Sequence, residues 1–278
     1  MTAHVEVMEL VARLKAAEQA FVLATVVRTV SVTAAKAGAK AIIRPDGTIV
    51  AGWIGGGCAR GAVLKAAREA LADGEPRMVS VQPENLLAEL GVKPGENRDG
   101  VRFAQNMCPS KGTMDIFVEP VLPHPSLVVL GLSPVALSLA AQARTLGYHV
   151  TVAAPAADLT ETPDADMLID GYALGQLSEA RRFVVVSTQG RGDEAALRAA
   201  ASTAAEYHAF VGSRRKMAAL REKLLAEGID AAALDRIKAP AGLDLGAITP
   251  EEIAMSILAE ITVERRRGQR AVPKLATR

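Results

Sequence analysis

The sequence predicts an α/β protein with an N-terminal α+β domain and a C-terminal domain built on a doubly wound parallel sheet. The length of 278 residues suits two domains, because domains often have about 150 residues. Residues 120–125 read PVLPHP, and prolines at this density interrupt helix and sheet alike. Beyond them, short apolar strands alternate with helices, as in βαβ units. We therefore expect domains at 1–121 and 122–266, followed by a basic flexible tail at 267–278.

The composition argues against several classes of protein. The chain has 32 Lys+Arg against 31 Asp+Glu, whereas nucleic-acid-binding domains usually carry a marked basic excess. Aromatic residues make up only 3%, too few for rows of stacked bases. No apolar run reaches the roughly 18 residues of a membrane span. The N-terminus lacks the basic start of a signal peptide, so we expect a cytoplasmic protein.

In the first domain, apolar spacing and turn residues predict two helices and a set of strands. Valine and leucine at helical spacing predict a helix over Val5–Ala20. The turn Pro45–Gly47 separates two strands of a hairpin. The predicted strands are Phe21–Val27, Lys40–Arg44, Thr48–Ile54, Met78–Val81 and Met114–Val121, with a helix at Ala59–Leu71 and a loop-rich region between the last two strands.

In the second domain, the first, fourth and fifth predicted strands each lead into a helix. Ser133-Pro134 suits the start of one helix, and Thr249-Pro250-Glu251-Glu252 forms a capping box for the last, which runs to about Arg266. The strands are Leu127–Leu130, Val150–Ala153, Met167–Ile169, Phe183–Ser187 and Ala209–Val211, and the other helices are Pro134–Leu146, Glu194–Ala205 and Arg214–Ala226.

The turn Gly55-Gly56-Gly57-Cys58 is the main candidate for chemistry in the first domain. It joins a strand to a helix, and glycine lets a ligand approach the backbone closely. The free N–H groups and dipole of a helix start suit an anion such as phosphate. A thiolate at that position is stabilised, so Cys58 is also a candidate metal ligand. The alternative is a tight turn with a packed cysteine.

Two further stretches of the first domain carry candidate residues. Lys36, Gly38 and Lys40 precede the hairpin, where they would neutralise a phosphate or simply face solvent. Cys108 and Ser110 lie on a proline- and glycine-containing turn. Cys108 would join Cys58 in one pocket, either as paired soft ligands for a metal or as a thiol couple.

The turns of the second domain match those of a nucleotide-binding fold, but they lack the residues that usually bind the nucleotide. Gly131 follows the first strand, but Ser133 replaces the middle glycine of the dinucleotide pattern G-x-G-x-x-G/A. The second strand ends in Ala153-Ala154-Pro155, without the usual ribose-binding acid. Thr188 and Gln189 follow the fourth strand, where ligands of doubly wound sheets bind.

Taken together, these motifs resemble the XdhC/CoxI/CoxF family of accessory proteins for molybdenum hydroxylases. Gly38-Ala39-Lys40 and Ile54–Cys58 are similar to the family's first signature. Ala239–Ala247 with Thr249–Ala254 is similar to its closing motif. The variant pattern is closest to the CoxF-like branch. The resemblance implies an XdhC/CoxI-type first domain followed by a Rossmann-like second domain.

The resemblance also implies a function, a cofactor and partners. The chain would hold the molybdenum cofactor, as molybdopterin or its cytidine dinucleotide form, and deliver it to an apo-hydroxylase such as carbon monoxide or xanthine dehydrogenase. Cofactor-biosynthesis or sulfuration proteins would be further partners, and a homodimer is expected. The alternative is an NAD(P)- or FAD-dependent oxidoreductase. The residues assigned to cofactor binding are Lys36, Gly38, Lys40, Gly55, Gly56, Gly57, Cys58, Cys108, Ser110, Gly131, Ser133, Thr188, Gln189 and Asp244.

Overall fold

The structure is a computed structural model that describes residues 3–109, 111–159, 162–175 and 181–266. The chain divides into two compact units between Pro123 and His124. The boundary placed after residue 121 from the sequence lies two residues earlier. The predicted tail at 267–278 and Ser110 both fall outside the described residues. Within the described ranges, no helix combines the length and apolarity that a membrane crossing requires.

The first unit contains a seven-stranded mixed sheet in the order β3-β2-β1-β7-β4-β6-β5. Its strand pairs are antiparallel except β4 with β6. This arrangement confirms the predicted α+β domain. Its elements are α1 (Ala3–Ala16), β1 (Phe21–Val30), β2 (Lys40–Ile43), β3 (Ile49–Gly52), α2 (Gly57–Asp73), β4 (Arg77–Gln82), α3 (Glu84–Leu90), β5 (Asn97–Arg98), β6 (Val101–Gln105) and β7 (Thr113–Val121).

The two faces of this sheet are covered differently. Helix α2 presents small buried residues such as Ala59 and Ala66, which pack on alternate residues of β1 and β7, among them Val26 and Ile116. Helix α1 packs on the opposite face, where Phe21 is fully buried with Val7, Leu14 and Ile42. These small side chains allow α2 to pack close to the sheet. Its first turn lies near the start of β7, because Gly55 contacts Met114.

The strand register gathers several connections at one end of the sheet. Val30 at the end of β1 pairs with Thr113 at the start of β7, and Thr25 pairs with Lys40 at the start of β2. Gly52 at the end of β3 pairs with Ala41. We call this the glycine-turn end, because β3 leads from it into α2 through residues 53–56.

The second unit is a six-stranded, fully parallel sheet in the order β10-β9-β8-β11-β12-β13. Successive strands proceed outward from β8 in one direction and then from β11 in the other, which confirms the doubly wound prediction. The elements are β8 (Ser126–Leu130), α4 (Pro134–Thr145), β9 (His149–Ala154), a 3-10 turn (Ala156–Asp158), β10 (Met167–Asp170), β11 (Arg182–Val186), α5 (Asp193–Ser202), β12 (Tyr207–Phe210), α6 (Arg214–Ala226), α7 (Ala231–Asp235), β13 (Ile237–Lys238) and α8 (Pro250–Arg265).

The sequence analysis missed several short elements. The region interpreted as loop-rich contains α3, β5 and β6, and α7 and β13 were also missed. Each is short, so its periodic pattern is weak and tertiary packing decides its state. The predicted strand Met114–Val121 includes Pro120, and Pro120 does lie in β7 opposite Val22. Since β4 pairs with β7 only as far as Val118, Pro120 has a partner strand on one side only.

Gly131 fixes the approach of two central strands in the second unit. Its φ is +118°, and a Cβ there would lie 2.4 Å from the carbonyl oxygen of Ser187. We expect Gly131→Ala to destabilise the second unit by about 1–3 kcal/mol, because both the dihedral angle and the close contact exclude a side chain. Urea denaturation with circular dichroism measures this.

Gly57→Ala is the matched control for that substitution. Gly57 begins α2, and an added Cβ meets nothing within 4 Å. Because alanine favours helix more than glycine, we expect unchanged or slightly greater stability. Equal losses in the two variants would contradict the close-contact explanation for Gly131.

Candidate functional site

The start of α2 is a helix N-terminus without a side-chain cap. Its N-cap is Gly56, with φ −77°, and its first turn contains no acidic residue. The first N–H that follows the helical pattern is that of Arg60, which donates to the Gly56 oxygen at 3.0 Å. The earlier N–H groups, from Gly57 to Ala59, therefore have no capping side chain and point toward any ligand at the glycine turn.

The three glycines of the turn differ in whether the backbone conformation requires glycine. Gly55 is buried with φ +112°, and a Cβ there would lie 2.8 Å from the Cε of Met114. Neither Gly56 nor Gly57 has a positive φ, and a Cβ at either would meet nothing within 4 Å. The fold thus requires Gly55, whereas Gly56 and Gly57 leave open backbone surface.

Both cysteines are thiols, and both connect to the glycine-turn end. Cys58 is partly buried in the first turn of α2, and Cys108 is exposed on the loop between β6 and β7. Asn106 holds this loop: its Oδ1 accepts from the Cys108 N–H at 3.0 Å, and its Nδ2 donates to the Gly112 oxygen at 2.6 Å. Whether the two thiols share a pocket stays a prediction.

Basic side chains predominate at this end. Lys40 Nζ donates to Thr25 Oγ1 at 3.0 Å, while Lys36 is exposed. The Gly38 N–H donates to the Val26 oxygen at 2.8 Å, which holds the Lys36–Lys40 connection against β1. The predicted residues Lys36, Gly38 and Lys40 therefore lie at the same sheet end as the glycine turn.

The acid on the neighbouring strand is already paired. Asp115 Oδ2 lies 2.6 Å from Arg28 Nε, and Asp115 Oδ1 accepts from Ser80 Oγ at 2.6 Å. The Ser80 hydroxyl in turn accepts from Gln82 Nε2 at 2.8 Å. Because Arg28 neutralises Asp115, the lysines give this end a local positive charge that suits an anionic ligand.

The described residues contain no metal site made by protein alone. In those parts of the chain, no three His, Cys, Asp or Glu side chains converge. Cys58, alone or with Cys108, would therefore bind only a metal that arrives with ligands of its own. The metal role assigned to Cys58 stays a prediction.

In the second unit, Ser133 occupies the helix start where a dinucleotide phosphate would bind. Its Oγ accepts from the Ala136 N–H at 3.1 Å and lies 2.6 Å from Ser187 Oγ. Pro134 at the first helical position has no N–H to offer. The start of α4 is therefore capped from within, in contrast to the start of α2.

The loop after β11 is organised around a buried acid. Thr188 Oγ1 donates to the carboxylate of Asp193, and Lys216 Nζ lies 2.6 Å from its other oxygen. Gln189 is exposed, with φ +53°. Asp193 is the first residue of α5, whose N-cap is Gly192. The Asp193 carboxylate joins this loop to the start of α6.

Asp244 lies on a loop anchored by a second buried acid. Glu260 accepts from the Tyr207 hydroxyl at 2.5 Å and from the Gly242 N–H at 2.9 Å, and it also pairs with Lys238. Burial raises the pKa of Tyr207 far above its ordinary value, so the hydroxyl remains a donor. Asp244 itself is exposed.

The structure thus separates the predicted residues into two groups. Those of the first domain, Ser110 aside, lie at the glycine-turn end. Gly131, Ser133, Thr188 and Gln189 lie at the carboxyl ends of the adjacent strands β8 and β11. The loop with Asp244 follows β13, two strands beyond β11 and so about 10 Å along the same edge.

Sequence reasoning missed Trp53 as a site residue. It is 57% exposed and directly precedes the glycine turn. An apolar ring between a glycine of β3 and buried Ile54 would have been expected inside the core. The available signal was Gly52, because glycine readily adopts the positive φ that ends an extended strand, and its φ here is +81°.

Comparisons with known proteins identify both halves of the chain. The family described as "XdhC and CoxI family" matches residues 14–82, and the "XdhC Rossmann domain" matches residues 127–261. YqeB of Escherichia coli is 29% identical over 231 residues, covering 80% of this chain and 40% of YqeB. A probable xanthine dehydrogenase subunit from Bacillus subtilis is 32% identical over 163 residues, covering 56% of this chain and 47% of that protein.

The chain therefore spans less than half the length of these two relatives. Among solved structures, a protein described as a xanthine dehydrogenase from Bacillus halodurans shares 20% identity with a TM-score of 0.45, covering 99% of this chain and 98% of that one. The two family matches follow each other in the order of the two structural units. The chain belongs to the XdhC and CoxI family.

Proposed function

We propose that this chain is a maturation accessory protein that holds the molybdenum cofactor and delivers it to an apo molybdenum hydroxylase. The observation that carries the proposal is the uncapped glycine start of α2 with Cys58 in its first turn. Family membership supports it, because the XdhC and CoxI match covers residues 14–82 and so includes this turn. The relative from Bacillus subtilis, named as a probable part of xanthine dehydrogenase, favours a client of that type.

The residues at the glycine-turn end fit such a group. The cofactor supplies a phosphate at one end and a dithiolene-bound molybdenum at the other. The N–H groups at the start of α2, with Lys36 and Lys40, would hold the phosphate. Gly56 and Gly57 allow close approach because no Cβ covers their backbone. The Cys58 sulfur, in the first turn of α2, would contact the metal end.

The second unit has a different role in this proposal. The dinucleotide form of the cofactor carries a nucleotide tail, and the polar loops after β8 and β11 would recognise that tail. The capped start of α4 disfavours a pyrophosphate bound as in nicotinamide dehydrogenases. Micromolar binding of NAD(H), NADP(H) or FAD with turnover would instead favour an oxidoreductase.

The client apo-enzyme is the main partner we propose, with cofactor-biosynthesis or sulfuration proteins as suppliers. A holding protein has to keep its ligand until the client docks, so affinity and exposure of the ligand have to be balanced. We also propose a homodimer, which size-exclusion chromatography with light scattering measures directly.

The test of the proposed function is purification without oxygen from a host that makes the cofactor. Molybdenum analysis and oxidised-pterin fluorescence should give matching, near-stoichiometric values. The same host lacking molybdate is the control, and it should lower molybdenum while leaving the protein folded. Background levels of both in the presence of excess cofactor would refute the proposal.

Replacing Cys58 should lower cofactor retention more than replacing Cys108. We expect Cys58→Ser to lose about tenfold or more in retained molybdenum, because a hydroxyl is a poor soft-metal ligand. Cys108→Ser, which changes an exposed thiol on a loop, should lose less. Thermal melting of both variants should match the unaltered protein. Equal molybdenum retention in the unaltered protein and both variants would show that Cys58 only packs in the fold and does not bind the cofactor.

Gly57→Ala tests the phosphate part of the site without weakening the fold. An added methyl group should lower cofactor retention several-fold, because it covers the backbone where the phosphate would approach. Gly61→Ala, also in α2 and also facing open space, is the matched control and should retain cofactor fully. Identical retention in the two variants would place the phosphate elsewhere.

A further inference from the structure

Trp53 is the single tryptophan of the chain, and its side chain is exposed to solvent. Its exposed fraction is 57%, whereas the next residue, Ile54, is 1% exposed. Phe21 is fully buried in the same unit, and Phe103 and Phe117 are partly buried. Trp53 is therefore the most accessible aromatic ring among the described residues of the first unit.

The register places Trp53 beside Lys40. Gly52 pairs with Ala41 across β3 and β2, and the Trp53 N–H donates to the Lys40 oxygen at 2.9 Å. This hydrogen bond places the backbone of Trp53 directly beside that of Lys40.

The indole ring has no stacking partner within the described part of the protein. Among the residues that the structure describes, the ring contacts involve Tyr148, Phe183 and Phe210, and none involves Trp53. Lys40 Nζ bonds to Thr25 instead of lying over the ring. One face of a large, rigid π-system is thus available next to a cation.

The glycine turn is within reach of the same ligand. Gly57 follows Trp53 by only a few positions in the chain, so their Cα atoms lie at most about 14 Å apart. A ring stacked on Trp53 would therefore have its substituent near Lys40 and the start of α2. A ligand that combines a planar heteroaromatic ring with a phosphate matches both features.

We propose that Trp53 is a positioning residue that stacks on the planar ring of a phosphate-bearing ligand. This inference rests on the proposed function, and it assigns the pterin ring to Trp53 and the phosphate to Lys40 and α2. Stacking on an aromatic side chain typically contributes enough to change affinity by roughly 5- to 150-fold.

The experiment measures binding of three probes to the full chain by calorimetry. The probes are a 6-alkylpterin with a terminal phosphate ester, the same pterin without phosphate, and inorganic phosphate. We expect Trp53→Ala to weaken the phosphorylated pterin roughly 5- to 150-fold and to leave inorganic phosphate unchanged. Trp53→Phe should stay within about threefold of the unaltered protein, because it keeps an aromatic face. Ile248→Ala, an exposed apolar residue of the second unit, is the control and should bind like the unaltered protein.

Fluorescence gives a second readout, because Trp53 is the only tryptophan. The phosphorylated pterin should quench its emission in the unaltered protein and in Gly61→Ala, after correction for absorbed light, and inorganic phosphate should not. Equal affinities of unaltered and Trp53→Ala protein, with unchanged emission, would overturn the assignment of Trp53 alone. Absence of binding to the unaltered protein, together with cofactor-free purification, would overturn the proposed function as well.

Discussion

The antiparallel pairing of β1 with β7 is the contact on which the rest of the first unit depends. It runs from Phe21 opposite Val121 to Val30 opposite Thr113. Because β2 and β4 pair with the other edges of these strands, one register decides which connections meet. It brings the starts of β2 and β7 to the end where α2 begins. Lys40, Cys58 and Cys108 owe their common location to this pairing and not to their spacing in the chain.

Helices α2 and α4, one in each unit, differ in the capping of their N-termini. Helix α4 has Ser133 as its cap and proline at its first position, so its backbone donors are largely occupied or absent. Helix α2 has Gly56 as its cap, and glycine offers no side-chain acceptor. A doubly wound sheet therefore does not by itself indicate a bound dinucleotide here.

Much of the fold was predictable because its main elements carry strong local signals. The capping box of Thr249 with Glu252 and the Ser133-Pro134 start both form as their sequences indicate. The misses have a common cause, since β13 has two residues and α3 has seven. Such elements depend on neighbours that are distant in sequence. Pro120 is tolerated inside β7 because β4 pairs with β7 only as far as Val118.

The site was predictable only in part, for a related reason. Local pattern identifies a glycine turn at a helix start, and it singled out Gly55, although only the structure shows that a φ of +112° calls for glycine there. The location of Trp53 depends on the positive φ of Gly52 and on the hydrogen bond between its backbone and that of Lys40. The neutralisation of Asp115 by Arg28 depends on strands far apart in sequence. No periodicity within either strand encodes these pairings.

The register shift between Val26 and Arg28 has a further consequence for β1. Before the shift, one face of the strand is apolar and lies under α1, with Phe21 and Leu23. The extra residue, Val27, lets Arg28 return to that same face opposite Asp115. A single strand thereby changes the character of one face along its length, from core lining to an electrostatic surface. The bulge resets the alternation of side chains along β1. One continuous strand therefore contributes both to the buried core and to the exposed Arg28–Asp115 pair.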